Sequence, residues 1–312
     1  MTLKKIASAF IAAVLLFICC GCKADEPIVI DINAGNRCYD HLNDAQKQIY
    51  AKAVNAVENM QLGLIELGDY NQQDTTLACR AVLSDRPDFF WMPEGFIFER
   101  DEDTAYIAFE YKTNSYLMPS EQLRDAQDQL DAAVAEINKG ITTDMSDFDK
   151  ELYYHNWLCQ NIKYAESTDD NTVYTAYGAL VNGSAVCEGY ARAMQLLCLS
   201  QKIDCHVVYG SAQSGSEYIG HMWNQIKLDG KFYNLDVTLD DMGDTASFEY
   251  FNVTDKQLGA THAFDRDFSL LTAAEKESGS VSFNIGLPAC TALNYNYYSV
   301  FPSQSIQTRI RF

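Results

Sequence analysis

Gly183-Ser184-Ala185-Val186-Cys187-Glu188-Gly189-Tyr190-Ala191-Arg192 reads as a turn running into a helix. Gly183 and Ser184 mark the turn, and Tyr190, Ala191, Met194, Leu197 and Cys198 then fall on one apolar face at helical spacing. This puts Cys187 at or near the helix N-terminus. The positive end of the helix dipole there favours a thiolate, and free backbone N–H groups can stabilise an oxyanion. Taken alone, a cysteine before a helix is weak evidence, because a buried structural cysteine is the commoner case.

A partner comes from the next hairpin. His221 to Leu228 reads as a strand, Asp229-Gly230 is a strong hairpin-turn signal, and Lys231 to Thr238 reads as the return strand. Counting outward from Leu228 opposite Lys231 pairs Ile226 with Tyr233, Asn224 with Leu235 and Met222 with Val237, a mostly apolar face. The other face carries His221, Trp223 and Gln225 opposite Thr238, Asp236 and Asn234. His221 and Asp236 are then diagonal neighbours, about 7–8 Å apart at Cβ, a span that the two side chains can bridge. Asp236 would hold the imidazole, and His221 would activate Cys187, so this polar face is expected to turn toward the Cys187 helix.

Three ordered motifs carry a family resemblance: Gly178-Ala179-Leu180 leading to Val186-Cys187-Glu188-Gly189-Tyr190-Ala191, then Gly220-His221-Met222-Trp223-Asn224, then Tyr233-Asn234-Leu235-Asp236-Val237-Thr238. Over about residues 146–255, which also include Tyr250-Phe251-Asn252-Val253-Thr254, the chain resembles the transglutaminase-like superfamily, especially its secreted bacterial members with a papain-like core. The resemblance implies an α+β fold in which the cysteine-bearing helix packs on an antiparallel sheet. It also implies Cys187 as nucleophile, His221 as general base and acid, Asp236 as orienter, and a thioester resolved by water or by an amine. No cofactor and no metal are implied. Trp223, Tyr177 and Gln225 are candidates for the acyl pocket or an oxyanion donor.

Before this core, residues 38–118 read as a small α+β domain. Asn43-Asp44-Ala45-Gln46 resembles a capping box, and a short helix spans Thr75 to Ser84. Phe96–Glu99 and Ala105–Tyr111 read as a hairpin with a four- or five-residue loop. Pro119 is expected to open a long helix closed by Gly140, and Ser146 to cap the next. The catalytic domain is placed at 119–290, with a C-terminal tail at 291–312. That tail reads as truncated, frame-altered or a natural last edge strand. Residues 211–219 are expected to form a loop before His221.

The remaining histidines carry less. His155 reads as packing, His206 as lacking an acidic partner, and His41 and His262 as carrying no signal. Asp240, Asp241 and Asp244 read as a solvated turn and not a calcium loop.

Lys4 and Lys5 precede an apolar run from Ile6 to Cys20, too short for a typical membrane span, and Gly21 stands before Cys22. Residues 1–22 are read as a lipoprotein signal with Cys22 lipidated, although Cys19 stands where such signals usually carry Leu; the alternative is an ordinary cleaved signal or an uncleaved anchor. Residues 23–37 are a linker. The chain has ten cysteines. Without Cys19, Cys20 and Cys22, an odd number remains, which outside the cell points to a working or free thiol. The formal charge of -20 disfavours nucleic acid and fits a basic or neutral peptide.

The expectation is therefore an exported, membrane-anchored cysteine enzyme on the extracytoplasmic side, acting on protein or peptide amides, with cell-wall peptide among the candidates. Hydrolysis is ranked first, amine transfer second, and a non-catalytic surface scaffold third.

Overall fold

A computed structural model describes residues 37–59, 61, 63–92, 96–109, 120–243, 245–278 and 281–303. The signal, Cys22, most of the linker, Pro119 and the last nine residues lie outside them. Three helices, α1 (Arg37–Asp40), α2 (Asp44–Glu58) and α3 (Gln72–Asp85), pack with β1 (Ile65–Gly68), β2 (Phe96–Asp101) and β3 (Thr104–Phe109). The strands form an antiparallel sheet in the order β1-β3-β2. The Asn43–Gln46 capping box forms as expected. The β2–β3 loop is shorter than expected: Asp101 pairs with Thr104, which leaves a two-residue turn because the polar residues on either side extend the ladder.

Two long helices follow, α4 (Ser120–Asn138) and α5 (Asp147–Asn161). Ser146 and Asp149 form a reciprocal cap at the start of α5, which satisfies N–H groups that the helix leaves free. Then come β4 (Lys163–Tyr164), α6 (Ala176–Leu180), β5 (Ser184–Ala185) and α7 (Cys187–Ser200). β4 and β5 pair in parallel and lead the chain to the tip of α7. The expected apolar stripe of α7 is buried.

The main sheet comprises β6 (Cys205–Ser214), β7 (Glu217–Leu228) and β8 (Lys231–Leu235), followed by α8 (Val237–Asp240), α9 (Asp255–Leu258) and β9 (His262–Phe264). Its order is β8-β7-β6-β9, all antiparallel. The Asp229-Gly230 turn has positive φ at both residues, 47° and 74°, which sets the β7–β8 register that counting predicts.

Two corrections follow. The segment 211–219 is not a loop; β6 and β7 pair throughout, from Cys205↔Ile226 to Ser214↔Glu217. The return strand stops at Leu235, opposite Asn224, so the expected Met222–Val237 pair does not form. Asp236 instead caps α8, its Oδ1 accepting the Leu239 N–H at 3.2 Å.

α7 lies on the sheet face that carries Met222 and Asn224. Ala191 packs with Val207 and Met222, and Asn224 Nδ2 donates to the Ala191 carbonyl at 2.9 Å. The face carrying His221 and Trp223 was expected to meet the helix; it is covered instead by Val253, Leu258, Phe264 and Leu287. The apolar helix stripe takes the apolar sheet face, as the hydrophobic effect requires.

One cluster of buried residues runs from Cys38 to Tyr297, across the 118/119 division drawn from the sequence. Arg192 Nη1 donates to the Leu83 carbonyl and Gln195 Nε2 to the Ser84 carbonyl, tying α7 to α3. Tyr295, Tyr297, Tyr298 and Phe301 pack in the same cluster, Tyr295 stacking on Phe148 and Tyr297 on Phe248.

Candidate active site

Cys187 is the first residue of α7, and Val186, its N-cap, makes no side-chain capping bond. The N-terminal amides of the helix are therefore not taken by a cap side chain. Gly189 allows this tip to lie against the preceding turn: a Cβ there would sit 2.4 Å from the Val173 carbonyl oxygen. Val186 N–H donates to that same carbonyl at 2.9 Å. Among the described cysteines Cys187 alone is not buried. Burial pushes the thiols of Cys38, Cys159, Cys198 and Cys290 well up, and that of Cys79 to about 12.

His221 lies beyond the last β7–β8 pair, where β7 keeps its β6 neighbour, Gly210, but has no β8 partner. Its Nε2 is 2.7 Å from Asp236 Oδ2. The Cys187 side chain lies near enough to act on the ring and raise its pKa. With Nε2 engaged by the carboxylate, Nδ1 is the nitrogen left for sulfur. The thiol and the ring thus meet past the end of β8, although the body of α7 lies on the other sheet face.

Burial of His221 would lower its pKa, but the bonds and charges of Asp236 and Cys187 outweigh it and lift the ring to about 10. Asp236 has no exposed surface. Burial would raise its pKa, yet two imidazoles on its carboxylate hold it down at about 2.

The second imidazole is His262, whose Nε2 lies 3.0 Å from the same Oδ2. The ligand atoms of His221, Asp236 and His262 lie within 4.8 Å of one another. In this arrangement each ring places its Nε2 against the same carboxylate oxygen. The Asp236 N–H donates to the Tyr250 carbonyl at 3.1 Å, and Asn234 and Val253 exchange two backbone bonds at 2.9 Å, which fixes the segment.

Of the pocket candidates, Trp223 stacks beside His221, with ring centroids 6.3 Å apart, while Tyr177 and Gln225 bond to other residues. Trp223 Nε1 donates to Asn234 Oδ1 at 3.4 Å, and its ring packs on His262 and Phe264. The Tyr177 hydroxyl donates to Gln129 and its ring stacks on Phe90. Gln225 Nε2 bonds to Asn234 and Pro288, and Arg37 donates to its Oε1. A residue not singled out from the sequence, the half-exposed Tyr164, lies beside Cys187, near enough for each to act on the other electrostatically. Burial and the neighbouring Cys187 push its phenol up.

The other acidic and histidine readings also change. His206 does have a partner, Asp204, two residues before it in sequence. Asp240 is no solvated turn: it is fully buried, 3.2 Å from His155 Nε2, and accepts from Ser247 Oγ and the Tyr250 N–H. Asp241 accepts from the Tyr190 hydroxyl at 2.6 Å. Asp244 lies outside the described residues.

Residues 132–237 match the family model of the Transglutaminase-like superfamily. This segment is similar to a transglutaminase-like core. The match closes just past Asp236 and takes in Cys187 and His221, while His262 lies beyond it. The superfamily is one of cysteine proteases and acyltransferases, and the α+β arrangement of a cysteine-bearing helix on an antiparallel sheet accords with it. Human "Kyphoscoliosis peptidase" is 27% identical over 93 residues, which is 26% of this chain and 14% of the peptidase. The chain thus corresponds to a small part of that relative. A crystal structure of a TGase overlaps at 12% identity with a TM-score of 0.35, covering 50% of this chain and 46% of that one. A Cytophaga hutchinsonii protein assigned as a cysteine protease overlaps at 15% identity with a TM-score of 0.32, covering 46% of this chain and 55% of that one.

His262 was missed because its contact with Asp236 spans 26 positions and depends on β9 pairing with β6 at Ala212. No local pattern announces a three-residue strand of that kind. Tyr164 was missed for a similar reason, since the parallel β4–β5 pair that carries it is two residues long on each side.

Proposed function

We propose that the chain is a cysteine acyl-transfer enzyme that hydrolyses protein or peptide amides through a thioester on Cys187. The observation that carries this reading is the one partly exposed thiol among the described cysteines, beside an imidazole that a buried carboxylate keeps protonated. Cys187, as thiolate, attacks the amide carbonyl and forms the C–S bond. The carbonyl oxygen, now negative, is received by N–H groups at the tip of α7, which no cap side chain takes. The His221 imidazolium gives its proton to the leaving nitrogen as the C–N bond breaks. Neutral His221 then takes a proton from water, whose oxygen attacks the thioester. The acid leaves, and thiolate and imidazolium are restored. Asp236 holds the ring throughout and favours its charged form.

Amine transfer is the second reading, and one feature favours it. Glu166, Asp169 and Asp170, with Val173 and Ser184, line a recess of about 360 Å³ beside the strand pair that leads to Cys187. Its acidic wall suits a cationic side chain such as a lysine amine.

Residues 1–22 would act as an export signal with Cys22 lipidated, anchoring the enzyme outside the membrane; among the described residues no helix is long and apolar enough to cross one. The test is mass spectrometry on a protein mixture incubated with the full chain or its Cys187→Ala variant. New peptide termini in the wild type alone support hydrolysis, and new glutamine–lysine links support transfer. Identical products from both proteins would leave a non-catalytic scaffold.

A further inference from the structure

Asp236 bonds to two histidines, and the acyl-transfer reading uses one of them. His262 is buried against Trp223, Tyr250 and His221, with ring centroids 5.1, 5.4 and 5.6 Å away. Its Nδ1 is 2.9 Å from Thr261 Oγ1. The other acceptor of that hydroxyl, the Leu258 carbonyl, is 3.4 Å away and at the weak end of the range. The hydroxyl proton therefore goes to Nδ1. The tautomer follows from this network: the ring carries its proton on Nε2, pointing at Asp236 Oδ2.

We propose that His262 is a positioning residue for acyl transfer, sharing Asp236 Oδ2 with His221 so as to fix the carboxylate and temper its pull on the His221 imidazolium. The inference rests on the acyl-transfer reading. A packing role alone would be served by an apolar ring; here Nε2 is aimed at the carboxylate and Nδ1 is filled by its own neighbour. A carboxylate oxygen that accepts two N–H bonds holds less charge for either donor than one that accepts a single bond. The other titratable groups facing this cluster are Cys187 from α7, Tyr164 from β4, Cys159 from α5, Tyr250 ahead of α9, and Asp240 and Asp241 at the end of α8.

The test is the pH dependence of Cys187 alkylation by iodoacetate, which needs no known substrate. This anionic reagent favours thiolate beside imidazolium, so the rate follows a bell. In His262→Leu the carboxylate pulls harder on His221, and the alkaline limb, where the imidazolium loses its proton, moves up by about half a pH unit. His262→Gln, whose amide can still donate, keeps the wild-type bell. Thr261→Val, which removes only the hydroxyl, moves the alkaline limb the same way by less. A folded His262→Leu with its alkaline limb unmoved overturns the inference; if that variant does not fold, an unmoved alkaline limb in Thr261→Val does so. A wild type with no bell overturns the acyl-transfer reading, and this inference with it.

Discussion

A carboxylate without exposed surface keeps its charge only where N–H groups point at it, and Asp236 has three: His221, His262 and Leu239. Its position just past β8 explains how one residue can cap a helix and orient an imidazole at once. Asp236→Asn keeps the shape but loses the charge that favours imidazolium. Its activity should fall by roughly 10³-fold or more, a fall read as kcat on any substrate the wild type turns over. The pairing of His221 with Asp236 was legible in the sequence because a two-residue turn fixes register by counting. The sharing of Asp236 with His262 was not, since it depends on where the chain returns after α9.

At the scale of elements, the tip of α7 is positioned by backbone contacts on one side and by Asn224 on the other. Gly189 is the residue that permits the close approach of Val173 and Thr175. Gly189→Ala should push that turn away, lower stability by about 2 kcal/mol in urea unfolding, and slow Cys187 alkylation. Leu228, the last β7 residue, already fixes the alternation of the hairpin, yet the sequence put the wrong face against the helix. Periodicity tells which residues share a face; it does not tell which neighbour covers that face when both are buried. The run His221–Ile226 is buried on both faces and so hides that choice. The extended β6–β7 pairing was hidden for a different reason, because the exposed polar and small residues from 213 to 217 carry no alternating apolar signal.

At the scale of the molecule, the joint core between the first hundred residues and the transglutaminase-like segment holds several buried acids away from the site. Burial lifts Asp85 to about 7, against the backbone N–H groups of Tyr39 and Cys38 that it accepts, and lifts Glu151 to about 8 against its bond from Asn252. A carboxyl raised on folding gives stability that is full below its unfolded pKa and is lost as pH rises through the folded one. Glu151 thus makes stability decline from about pH 4.5 to about pH 8. Glu151→Gln cannot ionise. Its urea unfolding curve should change less over that window, and at pH 8 it should exceed the wild type by on the order of a few kcal/mol. The measurement that bears most directly on the whole account is the labelling of the folded protein by iodoacetamide at pH 6, mapped by peptide mass spectrometry in wild type and His221→Ala. The account predicts modification at Cys187 ahead of every other described cysteine, slowed at least 10²-fold by the substitution. Labelling of Cys187 that is no faster than that of an ordinary thiol, and indifferent to His221, would contradict it.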